Sequence, residues 1–140
     1  MAHSGHTLKV LVIDDSFILR ERLCWCLGSI EGVDIAGKAN SVPTGIEAFR
    51  SLQPDVVILD LQMPGGSGIE VLEVMKSERP ATKVIIFTNY PLPQLQKKCE
   101  EVGAEWFLDK THDLTKLRTL LKELVSAQAV NNSRQDAEKP

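Results

Sequence analysis

Val56-Val57-Ile58-Leu59-Asp60 decides the fold of this chain. Its first four residues are aliphatic without alternation, so both faces of such a strand need apolar cover, which is the condition of a central parallel strand sandwiched between helices. The run ends on a carboxylate. Residues 84–87, Val84-Ile85-Ile86-Phe87, repeat the pattern and end at Thr88. Upstream, Leu8-Lys9-Val10-Leu11-Val12-Ile13 delivers the acid pair Asp14 and Asp15, and downstream residues 106–108 lead to Lys110. In an open α/β sheet the ligand crevice lies outside the carboxyl ends of the strands, so parallel pairing brings these polar residues to one edge.

Between the runs the chain carries helix signals, and this alternation predicts βαβ units, an α/β fold. Ile18, Leu19, Leu23, Cys26, Leu27 and Ile30 recur at helical spacing after Ser16, a residue type that caps exposed backbone N–H groups. A second strand over 33–36 or slightly beyond leads through Asn40 and Ser41 to Pro43, which is tolerated in a first helical turn, and Ile46, Ala48, Phe49 and Leu52 form the next stripe. Met63-Pro64-Gly65-Gly66 reads as a loop. Ser67 with Glu70 reads as a capping box opening a helix with Ile69, Leu72, Val74 and Met75 inward. Pro91 and Pro93 precede a short helix with Leu95, Cys99 and Val102 inward and Gly103 at its end. The last helix is expected over 113–126. Residues 1–7 read as a flexible N-terminus, 8–126 as one domain, and 127–140 as a polar, disordered tail.

A chain of 140 residues suits one domain, and a fold of this size buries roughly two thirds of the surface its unfolded chain exposes. Sixteen Lys and Arg against nineteen Asp and Glu give a net charge of −3, with no basic run dense enough for a nucleic-acid footprint, so direct nucleic-acid binding is not expected. No window approaches the roughly 20 apolar residues that span a bilayer, and the N-terminus lacks a charged-then-apolar leader, so no membrane insertion and a cytoplasmic location are expected. Cys24, Cys26 and Cys99 read as reduced structural thiols. His3, His6 and His112 have no ligand spacing and read as surface residues.

The site chemistry follows from charge. Asp14, Asp15 and Asp60 at one edge would repel by about 4 kcal/mol per pair at 4 Å and an effective dielectric near 20, so a cation must sit among them. Few, hard oxygen ligands beside open space suit Mg²⁺. Lys110 adds a mobile positive charge and Thr88 a short hydroxyl donor, the combination a carboxylate nucleophile needs to accept a phosphoryl group. Each residue also has a plainer reading: an acid pair alone is a turn or helix cap, a lone lysine is solvated, Thr88 fills a strand end and Phe107 belongs to the core. Their common company favours function.

Asp14-Asp15, Asp60 with Leu61-Gln62-Met63-Pro64-Gly65 and Gly68, then Thr88 and Lys110, each after its own strand, resemble the receiver domain of two-component response regulators, of the stand-alone, chemotaxis-regulator-like kind. The resemblance covers residues 8–126 and implies a flavodoxin-like, doubly wound five-stranded parallel sheet of order 2-1-3-4-5 with five helices. It implies that Asp60 accepts a phosphoryl group from a phosphohistidine, that Asp15 and Asp60 bind Mg²⁺ directly with the Gln62 carbonyl, and that Asp14 acts through water. Thr88 and Lys110 would contact the phosphoryl oxygens, and Phe107 would be the aromatic that swings inward on switching. The implied output is a protein-binding surface, with a histidine kinase or histidine phosphotransfer protein upstream and a protein target downstream at the fourth helix, fifth strand and fifth helix. Such a protein is a self-phosphorylating phosphoacceptor with slow autodephosphorylation, and not an enzyme acting on others.

Departures from the family pattern are Asn89 and Tyr90-Pro91-Leu92-Pro93 after Thr88, where a small residue is usual, and Thr111 after Lys110, where proline is usual. Trp25 lies off the inward stripe of its helix, and partial cover by a neighbouring helix is the expectation, with a phosphodonor docking surface the alternative. Three rival functions stand beside the switch: a phosphorylation-independent pseudo-receiver scaffold, a receiver fragment of a longer DNA-binding regulator, and an aspartyl phosphohydrolase. The last needs an acid two residues after the nucleophile, where this chain has Gln62.

Overall fold

In the computed structural model, residues 7–138 are described, with side chains through residue 130. The expected flexible N-terminus lies, but for Thr7, outside the described residues, as do His3 and His6. Five strands, β1 (Leu8–Ile13), β2 (Val33–Ala39), β3 (Val56–Leu59), β4 (Lys83–Thr88) and β5 (Trp106–Asp109), alternate with α1 (Phe17–Gly28), α2 (Val42–Leu52), α3 (Gly68–Glu78), α4 (Pro93–Val102) and α5 (Leu114–Glu138). The strands pair in parallel in the order β2-β1-β3-β4-β5, the flavodoxin-like arrangement expected from the sequence.

Period-two alternation splits the sheet residues between two cores. Leu11, Ile13, Val57, Leu59, Val84 and Ile86 face α2, α3 and α4, where Phe49, Leu72, Met75 and Cys99 meet them. Val10, Val12, Val56, Ile58, Ile85 and Phe87 face α1 and α5, against Leu23, Leu27, Leu117 and Leu121. Both faces of β3 are therefore covered, which is why its sequence does not alternate.

Local rules account for the helix starts. The Ser16 hydroxyl accepts from the Leu19 N–H, and Ser41 with Thr44 and Ser67 with Glu70 form reciprocal capping boxes. Gly68 is required by close approach: a Cβ there would collide with the Asp60 carbonyl oxygen, so α3 can begin directly behind the acidic loop only with glycine.

Four expectations change. The loop at Met63 contains a short antiparallel ladder, Gln62–Met63 against Gly66–Ser67. The inward face of α1 consists of Leu23, Cys24 and Leu27, whereas Ile18 is 71% exposed. In the first turn the Arg20 guanidinium donates to the Asp14 carbonyl oxygen at 2.9 Å, and Ile18 stands outside the buried set of this helix. Trp25 is 82% exposed, so no neighbouring helix covers it. Finally, α5 does not end at Ser126 but continues to Glu138, because residues 127–138 contain neither Gly nor Pro and propagation adds one hydrogen bond per residue.

Candidate acidic site at the carboxyl edge of the sheet

The register converts strand ends into a site. Ile13 is opposite Leu59, and the ladder runs one residue further through the Asp60 N–H to the Ile13 carbonyl at 3.0 Å, so Asp14 and Asp60 emerge side by side. Thr88 is opposite Asp109, and the Lys110 N–H donates to the Thr88 carbonyl at 2.9 Å, which sets Lys110 beyond the same edge.

Oxygens of Asp14, Asp15 and Asp60 lie within 4.8 Å of one another, with Asp14 and Asp60 buried and Asp15 exposed. The Lys110 ammonium contacts Asp14 Oδ2 at 2.5 Å and Asp60 Oδ2 at 3.0 Å, its own side chain 8% exposed. Thus the three acids and the amine expected to meet do meet. The Gln62 N–H donates to Asp60 Oδ1 at 3.4 Å, placing its backbone at the acidic pocket. Thr88 is fully buried at the end of the adjacent strand, and its hydroxyl accepts from the Tyr90 N–H at 3.2 Å. Phe107 is half-buried against the α2, α3 and α4 core. Asn89 and Tyr90 are exposed, on the rim. His112, 76% exposed, pairs with Asp109 and faces solvent as expected.

Burial pushes the Asp60 carboxyl above its ordinary value, with the Asp14 charge adding to the rise and Lys110 opposing it. Burial pulls the Lys110 ammonium down, but its bonds and charge interactions with Asp14 and Asp60 outweigh that, and the net shift is up. The two shifts have different main causes: burial makes the Asp60 carboxyl resist ionising, while the bonds and charges of Asp14 and Asp60 keep the buried Lys110 ammonium charged. Three clustered carboxylates open to solvent on the Asp15 side are a hard-oxygen donor set, and they fit a divalent cation such as Mg²⁺.

Sequence reasoning missed the Arg20 strut to the Asp14 carbonyl. It also missed the Asp14 side chain accepting from the Ser16 N–H at 2.9 Å, which fixes the acid pair against α1. The second had a signal, since Asp two residues before a helix-capping serine is an Asx-turn pattern.

These features define a flavodoxin-like α/β domain with a lysine-bridged acidic site at the carboxyl edge of its sheet. The chain belongs to the response regulator receiver domain family, which matches residues 10–122. It is therefore a receiver domain of two-component signalling. Among curated relatives, protein-glutamate methylesterase/protein-glutamine glutaminase 4 of Hahella chejuensis is 36% identical over 85% of this chain and 32% of the relative. The response regulator GacA of Pseudomonas aeruginosa is 28% identical over 86% of this chain and 56% of its own length. The chain thus spans from about a third to just over half of these relatives. Among solved structures, the response regulator domain of Thermotoga maritima CheB aligns with TM-score 0.76 at 26% identity, covering 87% of this chain and 96% of that one. The Borrelia burgdorferi CheX-CheY-BeF3-Mg complex aligns with TM-score 0.79 at 27% identity, covering 86% and 91%. Among the described residues, no helix is long and apolar enough to cross a membrane.

Proposed function

We propose that this chain is a phosphorylation-dependent switch in which Asp60 takes a phosphoryl group from a phosphohistidine. The observation that carries the reading is the Lys110 ammonium seated between Asp14 and Asp60 at the carboxyl edge. An Asp60 carboxylate oxygen attacks phosphorus, the P–N bond breaks, and the donor imidazole leaves with the electron pair. The product is an acyl phosphate. Asp15, Asp60 and the Gln62 carbonyl would hold Mg²⁺, with Asp14 reaching it through water, and the ion supplies charge neutralisation for the incoming phosphoryl oxygens. Lys110 shifts from the carboxylates toward a phosphoryl oxygen, a salt-bridge exchange that keeps its charge compensated. The Thr88 hydroxyl donates to another oxygen by releasing the Tyr90 N–H, so the β4–α4 loop feels the event, and Phe107 follows inward. A local charge change that favours one of two close-lying loop states is a sufficient output.

The upstream partner, a histidine kinase or histidine phosphotransfer protein, docks on α1. Exposed Phe17, Ile18 and Trp25 there adjoin a cavity of about 320 Å³ between α1 and α5 lined by Leu19, Phe87, Lys110 and Leu114. The downstream protein target takes the α4, β5 and α5 face, where Trp106, Leu108 and Leu120 line a shallow groove. Location is cytoplasmic, direct nucleic-acid contact is absent, and the acyl phosphate hydrolyses slowly without the chain turning over other substrates. The greater length of the curated relatives favours a second reading, in which the receiver acts on a linked output domain.

Incubation with acetyl phosphate and Mg²⁺ followed by intact mass tests the switch. The expected result is an alkali-labile phosphoryl adduct that disappears in Asp60→Asn. An unmodified wild-type mass would favour the scaffold instead.

A further inference from the structure

Lys110 has no proline after it, yet its backbone is pinned on all sides. The Lys110 N–H donates to the Thr88 carbonyl at 2.9 Å. The N–H before it, of Asp109, donates to Asp113 Oδ2 at 2.9 Å, and the N–H after it, of Thr111, donates to Asp109 Oδ1 at 2.8 Å. Two carboxylates four residues apart therefore hold the N–H groups of the residues on either side of the lysine. The Asp109 carbonyl adds acceptance from the Asp113 N–H at 2.9 Å, closing the turn from within.

Asp113 makes the arrangement unusual. It immediately precedes α5, where an aspartate ordinarily spends its side chain on the first free N–H groups of the helix. Among the described residues no helix N–H bonds to its carboxylate, and the acceptor reaches back to Asp109 instead. Asp109 ends β5, and its other oxygen meets His112 Nδ1 at 3.2 Å. The Thr111 N–H, then His112, hold the Asp109 carboxyl below its usual range, so it stays ionised as an acceptor. The lysine side chain that emerges from this clamp reaches Asp14 and Asp60.

We propose that Asp109 and Asp113 are positioning residues that aim Lys110 at the acidic site, doing with two side-chain acceptors what a ring-constrained residue after the lysine would do covalently. This rests on the reading of Lys110 as the phosphoryl-binding cation. The clamp fixes the N–H groups of the residues flanking the lysine, and the Thr88 carbonyl holds the N–H between them, so the lysine backbone has little angular freedom. Misplacement of such a group by about 1 Å costs on the order of a hundredfold in rate.

The test uses the full chain and the variants Asp109→Ala, Asp109→Asn, Asp113→Ala, Lys110→Ala and the double Asp109→Ala/Lys110→Ala, each checked for a cooperative thermal melt. Acetyl phosphate labelling should slow by roughly ten- to a hundredfold in both aspartate-to-alanine variants. In Asp109→Asn, whose amide oxygen still accepts from Thr111, it should return to near the wild-type rate. The double variant should label no slower than Lys110→Ala alone, because the clamp acts only through the lysine. A wild-type rate in Asp109→Ala, failure of the asparagine to rescue, or multiplicative loss in the double variant would overturn the proposal. A second readout needs no phosphoryl transfer. Loosening Lys110 from Asp14 and Asp60 should strengthen Mg²⁺ binding, measured calorimetrically, in Lys110→Ala and in Asp109→Ala alike. An unchanged Mg²⁺ affinity in Asp109→Ala with a raised one in Lys110→Ala would sink the clamp even if wild-type protein took no phosphoryl group, an outcome that would separately sink the switch.

Discussion

Asp60 is a buried carboxylate in a site with more acids than cations, and its ionisation costs the fold. Its raised native value means the folded chain binds that proton more tightly than the unfolded chain, so the cost is present at neutral pH and is relieved as pH falls through the raised value. Asp60→Asn removes the charge and leaves Lys110 with Asp14. We expect it to stabilise the protein by on the order of 1 kcal/mol at neutral pH, read from chemical denaturation, and to flatten the mildly acidic part of the stability profile. Lys110 has the opposite sign: its value is raised by acceptors, so its contribution is complete below the ordinary lysine value and fades only as pH climbs through the elevated one. Tyr90 follows the same logic of access. Its backbone N–H is bound to the Thr88 hydroxyl while its ring stands 53% exposed at the rim of the pocket. A rim aromatic of this bulk shields an acyl phosphate from water, so Tyr90→Ala should hasten loss of the adduct after excess acetyl phosphate is removed. An unchanged decay would show that the ring guards nothing.

Among the elements, α1 combines a packed inner face with an apolar outer one. Leu23, Cys24 and Leu27 are buried, while Phe17, Ile18 and Trp25 are 66%, 71% and 82% exposed. Large apolar side chains left exposed beside a packed inner face mark a surface that a partner can cover. Trp25→Ala removes surface that is already wet, so stability should move by less than about 0.5 kcal/mol and acetyl phosphate labelling should stay unchanged. Transfer from a phosphorylated histidine phosphotransfer domain should slow, as measured by stopped-time gels; equal transfer rates would place the donor elsewhere. This helix also shows where sequence reading stops. The central strands and site residues were legible because residues 56–59 and 84–87 are apolar runs without alternation that each lead into a polar residue, Asp60 and Thr88. The inward face of α1 was not, since Ile18, Leu19, Leu23 and Cys26 offer several stripes and packing against the sheet selects Leu23, Cys24 and Leu27. Lys76 and Glu105 were equally silent. They meet at 2.8 Å from α3 and the start of β5, with Glu105 also accepting from the Val84 N–H, and nothing local in either segment announces a partner 29 residues away. The reciprocal bonds of Asp109 and Asp113 were hidden for another reason: an aspartate before a helix reads as its cap, and only coordinates show the side chain turned the other way.

For the whole molecule, the site and the stability of the sheet are one thermodynamic system. The three acids follow the ends of β1 and β3, central strands whose residues contribute to both cores, so any relief of their repulsion is relief for the fold. A ligand that binds only the folded chain stabilises it by RT ln(1 + [L]/Kd), about 2.7 kcal/mol at a hundred times Kd. The acids are far apart in sequence, and the unfolded chain cannot reassemble them, so Mg²⁺ meets that condition. Added Mg²⁺ should therefore raise the melting temperature in proportion to the logarithm of its concentration, by roughly 5–10 °C at such an excess for a domain of this size. Ca²⁺ tests whether the gain is specific, because Mg²⁺ tolerates few protein ligands and keeps its waters whereas Ca²⁺ wants more oxygens than this edge offers. Matched Na₂SO₄ controls for screening, which also weakens repulsion between Asp14, Asp15 and Asp60 but without saturating. The decisive comparison is Asp60→Asn. The variant should begin more stable than wild type and gain less from Mg²⁺, so that the two melting curves converge or cross as the cation is raised. Parallel curves would mean the ion binds somewhere other than the carboxyl edge.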